Sequence, residues 1–447
     1  MERRDGPSLH TRARHRRRSE PVAPPRSVGH GTVGRGPVGH GPTGHGPVGH
    51  GHGHGPVAPA DRRVRTAIAA LLVPCALATL IGLVVLFPAG RSGTDGEDAA
   101  PPRLAGHVAG ATEAACDEGS TDTCVALTVR LAEGPLAGRD IVTLESVVHG
   151  QAAYRTGDDV LLIAGNDLTD PTSYQIVDFQ RGTPLLGLAL LFAAAVVALG
   201  RWRGAAALLA LGVTAAVLAL FVLPAILAGR DPLAVAVVGS CAMMFGALYL
   251  THGINARTSA ALLGTLASLL LIGLLGAAFA AATRLTGADE DTANLASTLG
   301  TAVDGRGLVL AGVVIGALGA LDDVTVTQAS AVWELRAADP HRPAGQVFRA
   351  GMRIGRDHVG ATVNTLVLAY AGSALPLLLL FSVAERGVTD TLTTQVIATE
   401  VVRTLVGSIG LVAAVPLTTA LATAVTAGRG AASAEHRSGP VPSGSAR

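Results

Sequence analysis

The sequence predicts an all-α polytopic membrane protein of about eight transmembrane helices, with a small extracytoplasmic β-barrel-like domain between helices 1 and 2. Three observations predict it. Hydrophobic residues make up 49% of the chain and charged ones only 15%, a balance that soluble domains rarely show. From Thr183 to about residue 427, apolar runs follow one another, each close to the ~20 residues that cross a bilayer. Between the first run and the rest, short β-prone segments alternate with turn residues.

Residues 1–62 read as a disordered cytoplasmic tail. It carries a basic block (Arg12, Arg14, Arg16, Arg17, Arg18) and a Gly-Pro-Val-Gly-His type of repeat, a composition unable to bury a core. His40, His45, His50, His52 and His54 have the chemistry to chelate a divalent metal, but the repeat fixes no geometry for one. Residues 66–88 form the first span, with the arginine-rich side before it cytoplasmic.

Residues 103–180 are then exported. Runs such as CVALTVRLA, DIVTLESVV, DVLLIAG and YQIVDF, separated by Glu133–Gly134–Pro135, Gly157–Asp158 and Asp170–Pro171, suggest a small barrel or sandwich. No aromatic platform for stacking bases is visible, so nucleic acid is not an expected partner. Cys116 and Cys124 lie eight residues apart; on the oxidising side of a membrane they are candidates for a disulfide, and otherwise two free thiols.

Residues 183–427 carry seven further spans, near 183–200, 204–228, 232–250, 258–282, 307–328, 360–383 and 400–427. Arg201, Arg203, Arg257, Arg336, Arg342, Arg349, Arg353 and Arg356 then fall on one side. The acidic stretch around residues 288–304 falls on the other. This arrangement obeys the positive-inside tendency and places both termini, including a second disordered tail at 428–447, in the cytoplasm of a bacterial plasma membrane.

The run Gly307–Arg336 carries the candidate site. Gly316, Gly319, Asp323, Thr327, Ser330 and Glu334 recur at three- and four-residue steps and share one helical face. Such a stripe fits a helix packed on neighbours with its polar end at a cavity. A carboxylate at bilayer depth costs about 2.5–3.5 kcal/mol on insertion scales and marks a functional site by default. The alternative is that the span ends near Leu321 and the acidic residues cap it in water. Arg353, Asp357, Gly360 and Asn364 repeat the helical spacing in the next span; they either form an interfacial Arg353–Asp357 bridge or face Asp323 across a polar cavity. Glu400 and Arg403 read as interfacial anchors.

All 34 basic residues are arginine. That excludes a phosphate-loop or Schiff-base lysine, and no nucleophile elbow, metalloprotease pair or zinc-binding cysteine set occurs. A non-enzymatic protein without a cofactor is expected. Its partners would be the lipid bilayer and an envelope protein or a further copy of itself.

Three runs resemble one family: GALGALDDVTVTQASAVWEL, RIGRDHVGATVNTLVLAYAGSALPLLL and EVVRTLVGSIGLVAAVPLTT. In that order they are similar to the bacterial YibE/F-like multi-pass membrane proteins, over roughly residues 103–427. The resemblance matches Asp323, Thr327, Ser330 and Glu334, then Arg353, Asp357, Asn364, Thr365, Tyr370 and Pro376. It implies a membrane protein suspected of transport. Together these readings give a permease whose ion- or substrate-binding set is Asp323, Thr327, Gln328, Ser330, Glu334, Asp357 and Asn364. The competing expectation is a scaffold whose exported domain binds an envelope partner.

Overall fold

The computed structural model describes residues 62–88, 102–115, 123–146, 154–165, 167–287, 294, 304–383 and 393–435. The expected tails, with His40, His45, His50, His52 and His54, lie outside the described residues, apart from the stretch up to Glu435. So do Cys116 and nearly all of the acidic stretch between the fifth and sixth expected spans.

Helix α1 (Arg62–Leu86) begins four residues before the apolar run and ends two before its predicted limit. Five antiparallel strands follow: β1 (Arg103–Ala115), β2 (Thr123–Leu131), β3 (Asp140–Ser146), β4 (Asp159–Ala164) and β5 (Tyr174–Phe179). They fall on the β-prone runs. Their order is β3-β2-β1-β4-β5, because the long β1 pairs with β2 along most of its length and with β4 along its first half. Alternation sends Val108, Leu127, Val129, Ile141, Val160 and Leu162 into one core. The sheet is an open, curled half-barrel, not a closed barrel. Its two edges approach where the backbone N–H of Ile176 on β5 donates to the Glu145 carboxylate on β3. Burial nevertheless pushes the Glu145 carboxyl above its ordinary range, outweighing that bond. Cys124 is disulfide-bonded, whereas Cys75 and Cys241 are free.

The remaining elements are helical: α2 (Gly182–Val217), a π-helical turn (Leu218–Val222), α3 (Leu223–Leu227), α4 (Pro232–His252), α5 (Ala256–Ala282), α6 (Gly305–Ala338), α7 (Ala344–Ser373), α8 (Leu375–Val383) and α9 (Gln395–Glu435). Among the described residues, six stretches are long and apolar enough to cross a membrane: α1, Gly182–Leu227 as one, α4, α5, α6 and α9 to Ala427. The 46-residue stretch is not one straight rod. Arg201 has φ 52° and ψ −128° inside it, and a Cβ on Gly204 would fall on the backbone carbonyl of Val196. The chain folds back there, at the Arg-Trp-Arg that separates two apolar runs. Asp231 and Asn255 cap α4 and α5 by accepting from the N–H groups of Ala234 (2.7 Å) and Thr258 (2.9 Å).

Inside the bundle, α6 packs on α4, α5, α7 and α9, and α9 on α5 and α7. Leu248, Leu262, Ile272, Leu321 and Leu411 are fully buried between them. Outward faces carry Leu77, Leu80, Ile81 and Val84 on α1 and Leu185, Leu186, Leu188 and Leu190 on α2, the surface that hydrocarbon solvates.

Candidate functional site

Helix α6 runs without interruption through the acidic pair to Ala338, so the helix does not stop at Leu321. Asp322 and Asp323 stand at its midpoint. Adjacent residues on a helix point ~100° apart, and here they separate. Asp323 is exposed, whereas Asp322 turns inward and its Oδ1 is buried without a hydrogen-bond partner. Three residues on, Thr325 is fully buried. Its Oγ1 lies 2.7 Å from Oγ1 of Thr265 on α5 and donates to the carbonyl of Asp322 at 3.2 Å. Thr418 of α9 sits against Gly264, the neighbour of Thr265. The middle of the bundle therefore holds a carboxylate and several hydroxyls between α5, α6 and α9. Among them Ser268, Thr418 and Thr419 are fully buried.

Gln328 makes a second junction one turn further on. Its Nε2 donates to the carbonyl of Gly351 on α7 (2.8 Å) and to Oγ1 of Thr419 on α9 (2.6 Å). Gly351 and Gly355 make this possible, since α7 can approach α6 and α9 only where it lacks side chains. Arg336 closes the lower end by donating to the carbonyl of Arg342 at 2.7 Å.

A third cluster lies near the other end of α6. Arg403 of α9 donates to Glu400 at 2.6 Å, and both side chains are three-quarters buried. The Arg403 guanidinium borders Gly312 and the Tyr370 hydroxyl borders Gly316, so two glycines one turn apart on α6 receive polar side chains from α9 and α7.

Among the predicted site residues, only Gln328 is fully inside. Ser330 is half-buried, and Asp323, Thr327 and Glu334 are exposed, as are Gly316 and Gly319. Most of the stripe expected to pack on neighbours is thus exposed, although Tyr370 of α7 lies against Gly316, and the packing face is Val313, Ala317, Leu321, Val324, Gln328 and Val332. Asp357 and Asn364 are exposed on α7, and Arg353 forms no ion pair with Asp357 among the described residues. The Tyr370 hydroxyl reaches Gly316 and Gly355 lies against Gln328, so α6 and α7 run past each other in opposite directions.

Sequence reasoning left Asp322, Thr265, Thr418 and Thr419 out of the site, and read Glu400 and Arg403 as interfacial anchors and not as a group with Tyr370. The available signals were hydroxyls inside otherwise apolar runs, and an acid and a base three residues apart within the last span. Among the described residues, no three His, Cys, Asp or Glu side chains come together as a metal-binding set.

Neither the comparison with curated proteins nor that with solved structures gave a match. The YibE/F-like protein family matches residues 188–428, which takes in α3 to α8 and most of α2 and α9, and leaves α1 and the half-barrel outside, short of the wider resemblance read from the sequence. With more than half of its length matched, the chain belongs to the YibE/F-like family.

Proposed function

We propose that the protein is a permease of the plasma membrane that crosses the bilayer eight times, and that Asp322 is its interior cation- or proton-binding group. The observation that carries this reading is a buried carboxylate oxygen without a partner at mid-helix, beside the Thr265–Thr325 hydroxyl pair. A carboxylate there is costly, and retention at such depth is characteristic of ion and proton pathways. The eight crossings are α1, α2 before Arg201, α2 after Arg201 through α3, α4, α5, α6, α7 with α8, and α9. This count gives α2 its fold-back, supported by the reversal at Arg201. It also groups Arg62, Arg63, Arg65, Arg201, Arg203, Arg257, Arg336, Arg342 and Arg349 on the cytoplasmic side, with the half-barrel opposite. Asp323, Thr327, Asp357 and Asn364 are polar residues left exposed on α6 and α7.

The test is thermal stability of the purified protein against a panel of monovalent and divalent cations, in wild type, Asp322→Asn and Asp323→Asn. A cation at 100 times its dissociation constant adds about 2.7 kcal/mol. The shift should vanish in Asp322→Asn and survive in Asp323→Asn. An unchanged shift in Asp322→Asn would remove the basis of the reading.

The scaffold reading draws on one observation, the exposed Val142 and Leu144 on β3 and Val177 on β5. Deleting residues 103–180 separates the two. A scaffold loses all activity in cells, whereas a permease retains cation-dependent stabilisation of its helical part.

A further inference from the structure

Among the described residues, Arg336 in the last turn of α6 is the one charged side chain that is more than nine-tenths buried, with 7% of its surface exposed. Its guanidinium is held from one side. Nη1 donates to the carbonyls of Arg342 (2.7 Å) and Pro340 (3.4 Å), in the turn that joins α6 to α7. Nε and Nη2 are buried and donate to nothing. These two nitrogens form the edge of a guanidinium that meets the oxygens of a carboxylate or phosphate in pairs. No carboxylate of the described residues takes that edge: Asp339, the one acid of the turn, faces Arg342 at 3.5 Å. Arginine stays charged when buried. The C-terminal end of α6 favours a cation, but by far less than an unpaired buried charge costs.

We propose that the Nε–Nη2 edge of Arg336 binds a phosphate group beneath the α6–α7 turn. The two carbonyls on Nη1 fix the plane of the guanidinium, so the direction of the edge is set before a ligand arrives and little rotamer freedom is lost on binding. Charge favours phosphate over carboxylate. From Arg336 to Arg349 the chain carries three arginines and a single aspartate, and a phosphate brings more negative charge and more acceptor oxygens than a carboxylate does. The way in is short, because Pro340, His341 and Pro343 of the turn are exposed. Free phosphate and the phosphate of a lipid headgroup present the same oxygens. The end of a helix long and apolar enough to cross a membrane is reached by both. The proposal does not depend on Asp322 or on whether the protein transports anything.

The experiment follows thermal unfolding of the full chain in a maltoside detergent. One arm adds inorganic phosphate against chloride at equal ionic strength. The other dopes the micelles with phosphatidic acid against diacylglycerol, which differs by the phosphate alone. A rise in midpoint with inorganic phosphate identifies a group free in water, and a rise with phosphatidic acid only identifies a headgroup; either supports the proposal. Arg336→Lys keeps the charge and loses the paired edge, so the apparent affinity should fall at least tenfold, and Arg336→Gln should abolish the shift. Arg349→Gln removes an exposed arginine of the same segment and should keep it. If Arg336→Gln does not fold, Arg336→Lys carries the comparison, with equilibrium dialysis of labelled phosphate as its second measurement. A wild-type midpoint that neither additive raises overturns the proposal. So does a shift of full size in Arg336→Lys, or one lost in Arg349→Gln, because net charge and not the Arg336 edge would then be holding the anion. Cation stabilisation lost in Asp322→Asn stands apart from all of these outcomes.

Discussion

Gly355 offers the sharpest test of how the three helices are held together. A methyl group there would fall on Val415 Cγ1 of α9 and within 2.8 Å of Gln328 Oε1 on α6. Carbon contacts are comfortable at about 3.5–4.0 Å, so Gly355→Ala forces α7 outward or drives Val415 and Gln328 from their rotamers. Overpacking of this kind costs about 1–3 kcal/mol. Losing the Gln328 bonds to Gly351 and Thr419 removes about 0.6 kcal/mol each, the average for such bonds in membranes. Against this, alanine gains at most ~1 kcal/mol of helix propensity over glycine. The net expectation is a loss of about 1–3 kcal/mol. Gly273 of α5 is the control, because nothing lies within 4 Å of its Cβ position; Gly273→Ala should be neutral or gain up to ~1 kcal/mol. Reversible unfolding in bicelles titrated with SDS measures both. If Gly355→Ala proves as stable as Gly273→Ala, the close approach of α7 to Gln328 and Val415 is not how the native bundle is built.

Two further predictions follow from separate parts of the molecule. A double-mutant cycle with Thr265→Val and Thr325→Val should give a coupling of about 0.6 kcal/mol, with ~1.7 kcal/mol as the ceiling; additive single effects would mean that the 2.7 Å pair is not a hydrogen bond in the bilayer. In the half-barrel, the folded-state pKa of Glu145 lies above its ordinary value. Its protonated form therefore favours folding: the stabilisation is complete below the unfolded carboxylate pKa and is lost as pH rises through the raised folded one. Hydrogen-exchange protection of the β3 and β5 amides should thus fall as pH rises through that window. Glu145→Gln, which still accepts from Ile176, should abolish the fall; the same pH response in both forms would count against the assignment to Glu145.

Much of this architecture is written in the order of residue types. An apolar run long enough to cross a bilayer has few other places to go, and period-two runs between turn residues have few other pairings. The five strands and the two faces of the sheet follow from such local patterns. So does the turn at Arg201, which two arginines and a tryptophan mark between leucine-rich runs. The candidate site was less legible. A helical stripe identifies residues that share a face, and Asp323, Thr327 and Glu334 do share one. Spacing does not say whether that face turns toward the neighbours or away from them.

That decision belongs to tertiary structure, because the orientation of a helix about its axis is set by all of its partners together. On α6 the face with the best fit to α5, α7 and α9 is the one bearing Ala317, Leu321, Thr325 and Gln328. Once those are buried, Asp322 goes in with them and Asp323 is carried outside. The glycines that admit Gln328, Arg403 and Tyr370 acquire their meaning in the same way, since a missing side chain matters only where another helix comes close enough to use the space. The sequence by itself determined that the chain is a membrane protein with a small sheet between its first two apolar runs, because hydropathy and local periodicity are properties of single segments. Only the packing of helices decided which of two adjacent carboxylates is buried and which is left exposed.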